Sequence, residues 1–256
     1  MALIRLDPLE ARLATELASA YRSALEHWDA TRASERLWRR ESALWTGGDE
    51  DRWLGWLEPG AGCDRAQLAL FRSEVAAREV RSVVLLGMGG SSLGAELIVR
   101  AVRRPGAPDL HVLDTTDPDE IRAVEAELDL ARTVFIVASK SGTTIESVSL
   151  EEYFWVRLAD EAAAARAKSF VAVTDPGTPL EARARERGYR LFHGVPEIGG
   201  RFSALSPFGL VPAAAVAGDL DPVLRAARDA AARSGPATKA GESPGVALGI
   251  LMATMA

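Results

Sequence analysis

The sequence contains a single cysteine, Cys63, among 256 residues. That excludes a disulfide framework and points to a reducing compartment. Lysine is nearly as scarce. Lys140, Lys168 and Lys239 are the only three, and arginine carries most of the basic surface. A lysine inside a motif is therefore more informative here than in an average chain. Long hydrophobic runs are missing: no uninterrupted apolar stretch approaches the roughly 18 residues of a membrane span. The opening stretch, MALIRLDPLEARL, has no secretory apolar segment. Positive charge is not in excess either. A net charge of −6 argues against nucleic acid or an acidic membrane surface as a partner. These absences lead us to expect a cytoplasmic protein. A hydrophobic content of 48% is enough for one sizeable core, with or without an appendage.

The first 60 residues read as helical, with Asp7 as an N-cap and Pro8 at the first helical position. Five of the six tryptophans (Trp28, Trp38, Trp45, Trp53 and Trp56) fall there. They form either a docking surface or a small helical layer against the main domain. From about residue 80 short apolar runs alternate with helical segments. The runs are SVVLLG (82–87), LHVLD (110–114), TVFIVAS (133–139), SFVAVTD (169–175) and YRLFHG (189–194). Asp117-Pro118 and Thr178-Pro179 start helices, Gly188 ends one, and Thr143 with Glu146 forms a capping box. Five such alternations predict a five-stranded parallel sheet in a three-layer α/β/α sandwich. Right-handed crossovers then place all strand C-termini on one ligand-binding edge. Two further helices begin at Asp221-Pro222 and Ser243-Pro244, separated by the polar linker TKAGESPG. The expected divisions are a helical segment (1–79), the α/β domain (80–235), and a linker with the start of a second, truncated subdomain (236–256).

Three turns carry candidate chemistry. GMGGSS, after the first strand, places Gly89, Gly90 and Ser91 at a strand-to-helix turn. Gly87 and Gly89 suit a dinucleotide fingerprint, and Asp114 stands where a ribose-binding acid would be, but Ser92 replaces the third glycine. SKSGTT, after the third strand, gathers Ser139, Lys140, Ser141, Thr143 and Thr144 around Gly142 at a helix start. Hydroxyls, unpaired amides and an ammonium at that place suit a phosphate monoester. GGRFSALSPFGL follows the fifth strand. Arg201, expected at that strand's end, could hold a phosphate, stabilise an enediolate, or bridge a surface carboxylate.

In this order and spacing, GMGGSSLGAEL, SKSGTT and GGRFSALSPFGL resemble the glucose-6-phosphate isomerase family. The first two motifs are shared by the wider sugar isomerase (SIS) fold. The third is more specific to phosphoglucose isomerases. The resemblance covers roughly residues 80–256. The segment SALWTGGDEDRWLGWLE is similar to the one before the isomerase half of bifunctional transaldolase/glucose-6-phosphate isomerases. The resemblance implies interconversion of glucose 6-phosphate and fructose 6-phosphate through a cis-enediolate, without metal or organic cofactor, in a homodimer. It implies that Ser139, Lys140, Ser141 and Thr144 grip the sugar phosphate, that Gly89, Gly90 and Ser91 line the sugar, and that Arg201 stabilises the enediolate. It also implies a glutamate base, a ring-opening histidine and a lysine in a second subdomain. No glutamate in residues 1–256 matches that base, and His27, His111 and His193 are expected to be structural. The alternatives are a non-catalytic SIS module that senses a phosphosugar and an NAD(P)-binding enzyme.

Overall fold

The computed structural model describes residues 15–256, so the expected cap at Asp7 and Pro8 lies outside the described residues. The helices are α1 (Thr15–Ala30), α2 (Ala33–Trp38), α3 (Arg65–Ala77), α4 (Leu93–Val102), α5 (Pro118–Glu127), α6 (Ile145–Arg157), α7 (Ala163–Lys168), α8 (Pro179–Arg187), α9 (Pro207–Ala217), α10 (Asp221–Arg233) and α11 (Pro244–Met255). The strands are β1 (Ser82–Gly87), β2 (Asp109–Leu113), β3 (Thr133–Ala138), β4 (Phe170–Thr174) and β5 (Arg190–His193). Among the described residues no helix is long and apolar enough to cross a membrane. The chain divides into two compact units. One is Glu58–Leu224; the other joins residues 15–57 with Arg225–Ala256.

The larger unit is built on the five strands, all parallel, in the order β2-β1-β3-β4-β5. Every residue of β1, β3 and β4 is buried, which is why these runs are continuously apolar rather than alternating. The pleat sends alternate residues to opposite faces. Val83, Leu85, Val134, Ile136, Val171 and Val173 join the core formed with α3, α4 and α9. Val84, Leu86, Phe135, Val137, Phe170 and Ala172 join the core formed with α6 and α8, with α5 packed at its margin. α3, which the sequence grouped with the N-terminal helices, buries Leu68, Phe71 and Val75 in the first of these cores. α9 is apolar on all sides, and every residue in it is buried.

Strand order decides where the site falls. β1 leads into α4 on one face, and β3 leads into α6 on the other. The two chain paths diverge between neighbouring strands, which opens a crevice at the C-terminal edge of β1 and β3.

In the smaller unit, α1 and α11 share a core of Tyr21, Ala240, Ile250 and Leu251, flanked by Leu25, Trp28 and Val246. The stretch expected as a polar linker is packed: Ala240 is fully buried, and its N–H donates to Asp29 Oδ1 at 2.8 Å. Trp28 donates to Ser34 Oγ (3.0 Å) and Trp38 to the Ser234 carbonyl (2.7 Å), so both belong to a packed layer. Trp45, Trp53 and Trp56 remain exposed. α11 also presents Leu248, Met252 and Met255 to solvent.

The most demanding polar group in the sheet domain is Glu151 on α6, which is fully buried. It accepts from Arg183 (2.5 Å), Arg187 (2.9 Å) and the Tyr189 hydroxyl (2.8 Å). Burial, followed by the nearby Glu151 charge, pushes the Tyr189 hydroxyl pKa up. Glu151→Leu would strand the Arg183 guanidinium, which is only partly solvated, and leave Arg187 paired with the exposed Glu152 alone. It should lower stability by about 3 kcal/mol in urea unfolding; a loss under about 1 kcal/mol would mean the network is solvated. Cys63 packs at the edge of the first core, and burial pushes its thiol up to about 12. At pH 8 it should alkylate far more slowly than a free thiol, and at the ordinary rate once unfolded in urea.

Candidate active site

The β3 loop is tied together from within. Ser139 Oγ lies 2.9 Å from Thr144 Oγ1, and Ser141 Oγ lies 2.9 Å from Thr143 Oγ1. The Gly142 N–H donates to Ser139 Oγ at 3.1 Å, and the Thr143 N–H donates to Ser141 Oγ at 3.3 Å. Gly142 has a φ of 67°, and a Cβ there would stand 2.8 Å from both the Leu180 nitrogen and the Thr178 Cβ. Only glycine fits so close an approach. Ser139 is buried, while Ser141 and Thr143 are exposed at the crevice.

One expectation requires correction. Thr143 and Glu146 do not form a capping box. α6 starts one residue later than that spacing requires, with Thr144 as its N-cap, and the Thr144 side chain makes no cap hydrogen bond. The Thr144 hydroxyl is already engaged with Ser139, and that of Thr143 with Ser141. The first N–H groups of α6 are thus left without a side-chain cap.

α4 shows the same feature. Its N-cap, Ser92, makes no cap bond, because its hydroxyl is buried and donates to the Gly89 carbonyl at 3.1 Å. By contrast Asp64, Asp117, Thr178, Ser206 and Ser243 cap α3, α5, α8, α9 and α11 through their side chains. The two longer helices with described, uncapped starts are the two that flank the crevice. Open amides and positive dipole ends converge there.

Gly89, Gly90 and Ser91 form a 3-10 turn after β1, with Gly89 at φ 55°. Arg201 is the second correction. β5 ends at His193, and Arg201 lies further on, in the 3-10 segment Gly200–Leu205. Pro196 has no N–H with which to extend the ladder, and the chain turns as the Ile198 N–H bonds the Val195 carbonyl. The segment then packs onto the β1 turn, on the far side of β3 and β4 from β5. Ser203 Oγ donates to the Gly90 carbonyl (3.0 Å) and the Gly200 carbonyl (2.6 Å). A Cβ on Gly90 would overlap the Gly200 carbonyl, and one on Gly94 would stand 2.8 Å from the Ala204 Cα. Arg201 is thereby carried to the crevice. Its side chain is exposed and makes no ion pair among the described residues.

Lys140 is held differently. Its ammonium pairs with the Asp175 carboxylate and donates to the Val195 and Pro196 carbonyls, each at 3.2 Å. All three of its donors are engaged by the protein. Asp175 lies just past the end of β4 and was not singled out by sequence; a carboxylate one residue after an apolar run, at the ligand edge, was the available signal.

His193 Nε2 lies 2.9 Å from Glu181 Oε1. Glu181 is held down to about 2 by Arg185, then by the Gly177 N–H and His193. His111 Nδ1 stands 3.8 Å from Glu127, and His27 is exposed on α1.

Comparison with known proteins identifies the family. The phosphoglucose isomerase family profile matches residues 71–224. A glucose-6-phosphate isomerase from Thermus thermophilus is 38% identical over 152 residues, 59% of this chain and 36% of that protein. The Carboxydothermus hydrogenoformans enzyme is 34% identical over 175 residues, 62% of this chain and 38% of that protein. A crystal structure of a Thermus thermophilus protein described as hypothetical superposes with a TM-score of 0.77 at 32% identity, covering 93% of this chain and 56% of that one. The crystal structure of a Chlamydia trachomatis glucose-6-phosphate isomerase gives 0.63 at 27% identity, covering 86% and 41%. The chain spans a little over a third of the length of these curated relatives. With its family profile matched over residues 71–224, which hold all five strands of the sheet, the chain belongs to the phosphoglucose isomerase family.

Proposed function

We propose that this chain contributes the phosphate-binding and enediolate-stabilising half of an aldose–ketose isomerase acting on a sugar 6-phosphate. The observation that carries this reading is the pair of uncapped helix starts, α4 and α6, facing one crevice. The phosphate monoester accepts from the α6 amides and from the hydroxyls of Ser139, Ser141, Thr143 and Thr144. Gly89, Gly90 and Ser91 line the sugar, and at Gly89, which faces open space, no Cβ blocks its approach. Arg201 provides a fixed positive charge for the oxyanion of a cis-enediolate. A guanidinium stays protonated, so it cannot be the base that moves the C1/C2 proton. We assign that base to sequence beyond these 256 residues. Family membership and the greater length of the curated relatives support this division; for the whole protein the proposal includes a homodimer in the cytoplasm.

Replacing Ser141 and Thr144 together with alanine should weaken both fructose 6-phosphate and inorganic phosphate. Each charge-assisted hydrogen bond lost should cost ~1–2 kcal/mol. Titration calorimetry reads this directly, and unchanged affinity would place the phosphate elsewhere. In a coupled assay of fructose 6-phosphate formation, purified residues 1–256 should show no turnover. Robust turnover would place the base within this chain.

A further inference from the structure

We infer that Lys140 and Asp175 act as a positioning clamp for the sugar phosphate, not as a direct contact to its phosphate. The inference rests on the phosphate-site reading above and deepens it. Lys140 is fastened at both ends. Its carbonyl accepts from the Asp175 N–H at 3.3 Å, and its ammonium pairs with the Asp175 carboxylate. The same ammonium donates to the carbonyls of Val195 and Pro196. One side chain therefore ties together the loops that leave β3, β4 and β5.

These loops have separate tasks. The β3 loop carries the hydroxyl cluster, and the chain leaving β5 continues into Gly199, Gly200 and Arg201. The cluster is held by its own hydrogen bonds and does not need the clamp to keep its shape. The contact of Ser203 with Gly90 holds the Arg201 segment at one end, and the clamp fixes the chain leading into it, at Val195 and Pro196, relative to that cluster. Asp175 is committed to the task. One oxygen takes Lys140, and the other, Oδ1, is buried without a hydrogen-bond partner among the described residues. Gly194 lies against that oxygen, where a Cβ would overlap it, and Phe208 closes the same side. Moving the ammonium onto a phosphate would leave a buried carboxylate unpaired, which opposes such a move.

A ligand that touches only the hydroxyl cluster should be indifferent to the clamp. A ligand that must reach both the cluster and Arg201 should depend on it, because two contacts reinforce each other only at a matched separation. Inorganic phosphate is the first kind and fructose 6-phosphate is the second. The test is titration calorimetry of both probes on the 256-residue chain, as wild type, Asp175→Asn, Lys140→Met, and Lys140→Met with Asp175→Leu. The readout is selectivity, the ratio of the two Kd values; a general loss of structure would lower both affinities and leave it unmoved.

The wild type should favour fructose 6-phosphate. Each variant should lose about fivefold or more of that preference while keeping inorganic phosphate within about twofold. The double variant replaces the ion pair with apolar groups that suit a buried site. It decides the matter if Asp175→Asn does not fold, as monitored by circular dichroism. Unchanged selectivity in the folded variants would overturn the clamp. So would tighter phosphate binding in Asp175→Asn, or an equal loss of both ligands in Lys140→Met, since these mark a direct contact. A wild type without preference would overturn the clamp alone. A wild type that binds neither probe would overturn the phosphate site and the clamp together.

Discussion

The crevice depends on two stretches of backbone lying closer than side chains permit. The turn after β1 and the segment Gly200–Leu205 meet at Gly90, where a Cβ would overlap the Gly200 carbonyl. Ser203 secures the meeting by donating to both carbonyls. Gly94 and Gly209 repeat the close approach on either side of Ala204. This contact draws Arg201 away from the strand that precedes it and sets it beside β1. Without it, the segment bearing Arg201 would trail off at the far edge of the sheet.

The second organising feature is electrostatic. A parallel sheet wrapped by helices gathers the helix N-termini on one edge. The larger unit satisfies most of those starts internally, through Asp64, Asp117, Thr178 and Ser206. At α4 and α6 the hydroxyls that could cap are drawn into other bonds, and the amides stay open. An anion is the complement of such a place, and two open starts across one crevice suit a phosphate monoester with a polar body attached. The arginines on the opposite edge of the sheet, Arg72, Arg81, Arg104 and Arg132, border a separate cleft near the C-terminal ends of α3 and α9. Positive charge there complements negative dipole ends.

Much of this was legible in the sequence. Five apolar runs became five strands with ends shifted by a residue or so; in β1, β3 and β4 burial on both faces demands apolarity, while the edge strands β2 and β5 are only partly buried. Proline-marked starts at Asp117, Thr178, Asp221 and Ser243 became helix starts, since each pairs a capping side chain or an acid with a ring that presets φ. Three features were not legible. The Thr143 capping box failed because tertiary hydroxyl pairs outcompeted a local motif. Arg201 was placed at the end of β5 because sequence order does not reveal that a chain will recross two strands. Lys140 reads as a free cation in SKSGTT, and only the fold shows Asp175 beneath it, thirty-five residues away. Among the tryptophans, Trp28 and Trp38 pack within the smaller unit, and Trp45, Trp53 and Trp56 are exposed.

The central claim is that the uncapped starts of α4 and α6 form a single anion site. Backbone amide NMR of the 256-residue chain, titrated with inorganic phosphate, tests it without relying on catalysis or substitution. The account predicts saturable shifts centred on residues 139–147, with smaller ones at 89–92. Shifts centred instead on Arg72, Arg81 and Arg104, with residues 139–147 unmoved, would contradict it.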